Sequence, residues 1–412
     1  MTTLPTDFTA LGAPESPADR VRAFSTFAAW AQTDPIGAFA EVRAHAKMAR
    51  SEEFGGFWIP TRYAEIEWVA RNPEIFSSAE PLIPYARTLP EKAIPLELDG
   101  EVHTAWRKAL ADAFSPSVAQ HFLPQIEELA RELVEAAVRS RKFDFASEFA
   151  VKLPASVFLV NFGVDPSALD QLLEFKNWYV REGLTSDGSD GEVAKACKPL
   201  LDFFQSEVDR RRFEGYEGHR DVMSKLLSAT YQGRALTDAE VVNAAFVTMM
   251  ASLDTTTSAL GLIWLTLTQR TDLRAQVINE PDQIPQMMEE LIRYQPVLTT
   301  ARVVTQEVER DGVTLHPGDR VLMSWGMAGR DPDVYDRADE CLLDRPPNRT
   351  LAFGVGPHRC LGMHLARRII TVAMREWHAR IPDYRLDPDG PPISYYSPVR
   401  GVMSLPLLIG KD

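Results

Sequence analysis

Residues 353–367 read Phe353-Gly354-Val355-Gly356-Pro357-His358-Arg359-Cys360-Leu361-Gly362-Met363-His364-Leu365-Ala366-Arg367, and the rest of the chain is best read outward from them. Two glycines and a proline make an irregular turn, and helical apolar spacing then runs over Leu361–Ile381. A lone cysteine therefore stands at a helix entrance, where orphan N–H groups and the helix dipole lower a thiol pKa and favour the thiolate. The glycines at 354, 356 and 362 let the backbone approach a flat ligand closely. Such pieces suit a cysteinate metal ligand. Other readings fit less well. Gly354-x-Gly356 begins a dinucleotide fingerprint, but Arg359 stands at its third glycine. His358, Cys360 and His364 have only Cys341 as a nearby fourth zinc ligand, at a spacing that matches no zinc module. A buried structural cysteine is the ordinary alternative, but the surrounding pattern is too specific for it.

Around this segment lies an ordinary globular composition. A net charge of −14 argues against nucleic acid or an anionic membrane as a general partner. Three cysteines, Cys197, Cys341 and Cys360, are too few and too odd a number for a disulfide framework and suggest a reducing compartment. No secretion signal is visible at the N-terminus, and no apolar run approaches the ~20 residues that span a bilayer. The expectation is a cytoplasmic protein. Helical periodicity dominates, over Val118–Arg139, Leu200–Arg212, Asp238–Arg270 and Gln286–Tyr294. Short strands are expected at Phe57–Pro60, Val303–Val308, Arg320–Ser324 and Gly401–Ile409, with loops at Thr185–Gly191 and Phe213–His219. Two Pro-rich stretches, Glu80–Glu97 and Asp331–Asn348, carry interleaved apolar residues and read as ordered irregular loops.

The central helical segment opens with a capping box, Thr237-x-x-Glu240, and continues for roughly 33 residues, or about 50 Å. It is apolar on nearly all sides, so it belongs inside the protein. Asp254 interrupts it, followed by Thr255, Thr256 and Thr257. A buried acid is costly unless it is paired or functional, and threonines bonding back to the preceding turn bend a helix. An acid and an alcohol at a bend make a candidate site; a buried ion pair with self-satisfied threonines is the other reading.

The cysteine stretch resembles the cysteine loop of the cytochrome P450 family, Phe-x-x-Gly-x-His-x-Cys-x-Gly, at every position. Glu290-Leu-Ile-Arg293 resembles the family's Glu-x-x-Arg helix, which locks onto an arginine of the irregular segment before the cysteine loop, here Arg345. Ala251-Ser-Leu-Asp254-Thr255-Thr256 resembles the oxygen-binding helix, with Ser252 where the family usually has glycine. Asp99-Gly-Glu-Val-His103-Thr-Ala-Trp-Arg107 resembles the segment that supplies a His and an Arg to the haem propionates, although Asp-Gly-Glu replaces the common Asp-Pro-Pro and Thr350 replaces a frequent His. Arg302 and His358 match two further propionate donors. The likeness runs from about Phe57 to Leu408. It implies a mainly α fold with small β-sheets, a triangular helical prism around a buried haem b, as one domain over residues 1–412. Arg345-Pro-Pro-Asn-Arg349 and Arg380-Ile-Pro-Asp383 are most similar to bacterial camphor- and cineole-type terpenoid hydroxylases.

The resemblance implies a monooxygenase that activates O₂ reductively and inserts one oxygen atom into a C–H bond. Cys360 would ligate the iron, with His103, Arg107, Ala251, Arg302, Phe353, His358 and Gly362 around the haem. Asp254 would supply protons and Thr255 order the relay. Glu290, Arg293 and Arg345 would be structural. Matching positions place Leu82, Tyr85, Ile94–Leu98, Val247, Met250, Ala251, Leu298, Thr299, Thr300 and Val399 around the substrate. That mostly apolar set, with Arg87 as one nearby charge, suits a compact hydrophobic terpenoid or small aromatic. No flavin or ferredoxin domain is appended, so electrons would come from a ferredoxin docking near Lys108, Arg359, Arg367 and Arg368 on a monomer. For any one of these the plain alternative is a solvated charge. A haem-thiolate binding protein and a peroxide-driven oxygenase are the alternatives, and the Asp254–Thr255 pair speaks against both.

Overall fold

The capping box is formed: Glu240 N–H donates to Thr237 Oγ1 at 3.3 Å, and Thr237 N–H to Glu240 Oε2 at 2.8 Å. From it the central helix runs without interruption over Asp238–Gln269 in the computed structural model, which describes residues 16–85, 89–178, 190–346 and 349–410. Its first half, Val241 to Leu253, lies in one apolar core, and Ala259 to Leu267 in another. Trp264 anchors the second, stacked on Phe145 with centroids 4.4 Å apart and met edge-on by Trp377 at 5.9 Å. The polar run Asp254–Ser258 falls between the two cores. This is the one described helix long and apolar enough to cross a membrane, and 72% of its most apolar window is buried inside the molecule.

A third core lies against a five-stranded sheet ordered Met48–Ser51, Phe57–Pro60, Arg320–Ser324, Thr299–Val304, Phe76–Ser77. Arg320–Ser324 pairs antiparallel with Thr299–Val304, so that Arg302 opposes Val321. Tyr384–Leu386, Pro406–Ile409 and Lys142–Asp144 form a three-stranded sheet.

Several expected boundaries move for local reasons. The segment Val118–Arg139 is two helices, Pro116–His121 and Leu123–Val138, because Pro124 cannot supply an interior N–H and instead opens a new helix. Leu200–Arg212 is part of Asp190–Glu214, which takes in Pro199. Most of the expected loop Thr185–Gly191 lies outside the described residues, as do Arg87 and Asn348. The strand expected over Val303–Val308 is instead Thr299–Val304, and Val308–Arg310 belongs to a hairpin with Val313–Leu315. Asp311 and Gly312 turn that hairpin with φ of 51° and 76°, the pair of left-handed residues such a turn needs. Gly401–Ile409 is split at Leu405, whose N–H goes to Asp144 Oδ1 at 3.2 Å.

The helix Ile284–Tyr294 carries Glu290 and Arg293, 2% and 1% exposed. Arg293 grips both Glu290 oxygens at 2.7 and 2.8 Å, and Arg345 Nε lies 3.1 Å from each. Arg293 also donates to the carbonyls of Gly329, Ala338 and Glu340, so three residues hold an irregular segment that has few ladder bonds of its own. Replacing Glu290→Gln preserves shape but leaves two buried guanidiniums without their carboxylate. We expect a loss of about 3–5 kcal/mol, read as a lower urea midpoint with little change in slope. A midpoint within error of the parent would contradict this account of the segment.

Candidate active site

The cysteine loop is shaped by its contacts. Gly354 and Gly356 have φ of +68° and +75°, and a Cβ on Gly356 would lie 2.5 Å from the Ala70 carbonyl of the helix Tyr63–Arg71. Cys360 N–H donates to Phe353 O at 2.8 Å, closing the turn. Gly362 then caps the helix Met363–Arg380. Around Gly362 a Cβ would meet nothing within 4 Å, so one side of the loop opens onto space. Phe353 packs on the core with the Arg367 guanidinium 4.3 Å from its ring centroid.

Cys360 is accessible, unlike the buried Cys197 and Cys341, yet protein surrounds its sulfur. Burial raises its thiol pKa, and the Gly362 N–H and the fields of Arg107, Arg367 and Arg359 offset this only in part. Burial thus opposes the lowering expected at a helix entrance.

Near the sulfur the helix Gly100–Leu110 brings His103 and Arg107 together. The His103 ring stacks on His358 at 3.9 Å, and His358 Nε2 lies 3.3 Å from Asp99 Oδ1. Burial works to raise the Asp99 pKa, but hydrogen bonds from His358, Ser77 Oγ and Ser78 N–H hold it at about 2. Burial, helped by the fields of His358 and Arg107, pushes His103 down to about 4, so it is a neutral donor rather than a cation near pH 7. Its Nε2 is buried with no bonding partner among the described residues. Arg302, 6% exposed, is lowered to about 10 by burial and, among the described residues, donates only to the Ala301 carbonyl, at 2.6 Å. No ion pair joins a carboxylate to Arg107 or Arg302 among the described residues. A buried guanidinium (Arg302), a half-buried one (Arg107) and an unsatisfied imidazole beside an accessible thiol fit a flat metal cofactor that carries carboxylates on one edge.

Midway along the central helix, Thr248, Met250, Ala251, Ser252 and Thr255 form an accessible stripe on a mostly buried rod. Thr255 Oγ1 donates to Ala251 O at 2.8 Å, Thr257 Oγ1 to Leu253 O at 2.6 Å, and Ser252 Oγ to Met249 O at 3.1 Å. The threonines thus bond back as expected while the helix remains continuous. Asp254, 6% exposed, accepts the Tyr395 hydroxyl on Oδ1 at 3.2 Å.

The substrate candidates are gathered unevenly. Val247 and Met250 share a core cluster with Ile94 and Leu98. Leu298 and Val399 form a β-bridge, and Pro81 O accepts Ala301 N–H at 2.7 Å, which sets Leu82 beside the Thr300 strand. Tyr85 donates to Glu97 Oε1 at 3.1 Å and Thr299 to Pro398 O at 3.2 Å. The Thr300 hydroxyl is buried without a partner among the described residues. Of the docking candidates, Lys108, Arg359 and Arg368 are exposed, whereas Arg367 is ion-paired with Glu289. That pairing weakens the expectation that Arg367 offers a free charge.

Sequence reasoning did not single out Tyr395, the partnering role of Asp99, or Asn243, which pins Ile94 N–H at 2.9 Å and Lys92 O at 3.0 Å to the central helix. Asp99 was in view as the start of a motif. Tyr395, 141 residues from its partner, gave no local signal.

Comparison with known proteins agrees with this geometry. The cytochrome P450 family model matches residues 63–377. A probable cytochrome P450 127A1 of Sinorhizobium fredii is 30% identical over 85% of this chain and 83% of its own. The mycinamicin IV hydroxylase/epoxidase of Micromonospora griseorubida is 31% identical over 80% and 83%. The crystal structure of CYP101J2 superposes with a TM-score of 0.83 at 27% identity, covering 96% of this chain and 98% of that one. With its cysteine loop complete and the match reaching across the three cores, the chain belongs to the cytochrome P450 family, whose members are haem b monooxygenases.

Proposed function

We propose that this P450 hydroxylates a compact hydrophobic molecule, a terpenoid or small aromatic, with Cys360 as the haem-iron ligand and electrons from a ferredoxin. The observation that carries the site assignment is the unmatched set of His103, Arg107 and Arg302 beside Cys360. Those three, with His358, hold the propionates, while Ala251, Phe353 and Gly362 border the ring. The bound haem supplies reductive O₂ activation and C–H oxygenation. The chain's own work is to position, to exclude water and to move protons. Asp254 holds the proton to be delivered, and the Thr255 hydroxyl, on the accessible stripe next to it, orders the relay. Ser252 keeps its hydroxyl on Met249 O and leaves the groove to small ligands.

Of the reported relatives only the mycinamicin IV hydroxylase/epoxidase has a substrate in its name, so the substrate class is argued from this chain's lining. Leu82, Val247, Met250, Ala251, Leu298 and Val399 are apolar. Tyr85 and Thr299 already donate to Glu97 and Pro398 O, which leaves Thr300 as the hydroxyl to meet a single acceptor on the substrate. An acidic ferredoxin docks against Lys108 and Arg359, with Arg368 as a further exposed charge, while Arg367 is neutralised by Glu289. The protein works as a cytoplasmic monomer of one domain.

Reduced, CO-bound protein should show the strongly red-shifted Soret band of thiolate ligation, and Cys360→Ser should lose it. The same band in the serine variant would overturn the ligand assignment. In a titration with terpenoids and small aromatics, the compound giving the largest low-to-high-spin shift identifies the substrate class, and no shift across the panel would contradict it. Arg302→Gln removes one charge-assisted partner and should weaken haem retention about 10- to 100-fold, measured as transfer to apomyoglobin. Transfer at the parent rate would sink the propionate role of Arg302.

A further inference from the structure

Asp254 and Ser258 stand one turn apart on the central helix and reach the same phenol. Tyr395, on the strand Ile393–Tyr396, donates to Asp254 Oδ1 at 3.2 Å and lies 3.0 Å from Ser258 Oγ. With the phenol hydrogen directed at the carboxylate, the Ser258 hydroxyl donates to the phenol oxygen and fixes it from the other side. Ser258 is 1% exposed, so this exchange is sheltered from water.

The backbone is arranged for this contact. Tyr395 is paired in register with Gly401 on the strand Arg400–Ser404. A Cβ on Gly401 would lie 2.5 Å from both Ser258 Oγ and the Tyr395 hydroxyl, and 2.7 Å from Tyr395 Cζ. One turn along, Gly261 lets the helix approach Val402, where a Cβ would lie 3.2 Å from the Val402 Cβ. Helix and strand are thus close enough for the ring to pass across Gly401 and end on the acid. Packing alone would be served as well by phenylalanine. Burial and the Asp254 charge both push the phenol pKa up, so the hydroxyl remains a donor.

We infer that Tyr395 is a positioning residue for proton delivery: held by Ser258 and given room by Gly401, its phenol fixes the direction of the Asp254 carboxylate. This rests on the reading of Asp254 as the proton source. Without the phenol the carboxylate loses one of the contacts that direct it, and fewer encounters with the Thr255 side of the helix are productive. The proton itself passes from Asp254, and Tyr395 neither gains nor loses one over a cycle.

The test uses Tyr395→Phe, Asp254→Asn and the double variant as holoenzymes. The substrate is the panel compound giving the largest spin shift, and the electron donors are a bacterial ferredoxin with its NADH-dependent reductase. Tyr395→Phe should lower kcat about 3- to 10-fold, the worth of one such hydrogen bond. KM and haem content should stay at parent values, the solvent deuterium isotope effect should rise, and no further loss should appear in the Asp254→Asn background. Independently of turnover, in protein labelled at the tyrosine ζ carbon, the resonance missing from Tyr395→Phe should shift on Asp254→Asn. If Asp254→Asn slows turnover while Tyr395→Phe leaves kcat and isotope effect unchanged, the inference fails and the proton-source reading stands. If Asp254→Asn has no effect, that reading falls and takes the inference with it. A lower melting temperature and haem content in Tyr395→Phe with an unchanged isotope effect, or an unmoved Tyr395 resonance, would leave it a packing residue and overturn the proposal.

Discussion

The Glu290 carboxylate, buried between two guanidiniums, is the contact through which the cysteine loop is tied to the helical body. Its oxygens accept from Arg293, from Arg345 and from the Leu342 N–H at 2.9 Å. The arginines in turn satisfy main-chain carbonyls between Gly329 and Glu340 that no helix or sheet ladder serves. A buried ion pair is weak evidence for stability, because desolvation offsets much of the Coulomb gain. Its effect here is to specify structure: it gives one geometry to a long irregular segment that could otherwise adopt many. The Gly329 Cα stands where a Cβ would lie 2.9 Å from Arg293 O, so the close approach depends on the glycine as well as on the charges.

The second constraint is that one helix serves two cores. A rod that is apolar all round can be buried along its length, but a polar interruption must be satisfied locally or lined up with a function. Thr255 and Thr257 bond back within the helix, Ser258 turns to Tyr395, and Asp254 takes the same phenol. The interruption falls where the cores part and where Met250, Ala251 and Thr255 become accessible. Polarity and access therefore share one turn, and a proton-handling group is set into an apolar pocket with most of the polar run satisfied locally.

The sequence was most readable where chemistry is local. The cysteine loop, the capping box at Thr237 and the Glu290–Arg293 pair lie within a few residues of their partners, so spacing alone exposes them. Helix limits moved where a single proline, such as Pro124, decided the matter, and a strand limit where one N–H, that of Leu405, turned to Asp144. At Cys360 the helix entrance can be read from sequence, whereas the burial that opposes its effect on the thiol cannot. Arg367 looked free for the same reason: Glu289 is 78 residues away. Tyr395 was out of reach altogether, since nothing near it marks a tyrosine whose partner lies on another element.

These errors share one physical cause, and it bears on how the chain and its cofactor depend on each other. Burial raises the Cys360 thiol, lowers His103 to about 4 and lowers Arg302 to about 10. Each shift is a cost of holding a group away from water without a matched partner. A carboxylate-bearing iron cofactor relieves these costs together, because the metal stabilises the thiolate while the carboxylates accept from the buried donors. A ligand that binds only the folded state stabilises it by mass action, and here the relief is largest at the groups that define the site. The unmatched donors and the buried thiol thus favour a single occupant, one that brings a metal and carboxylates together.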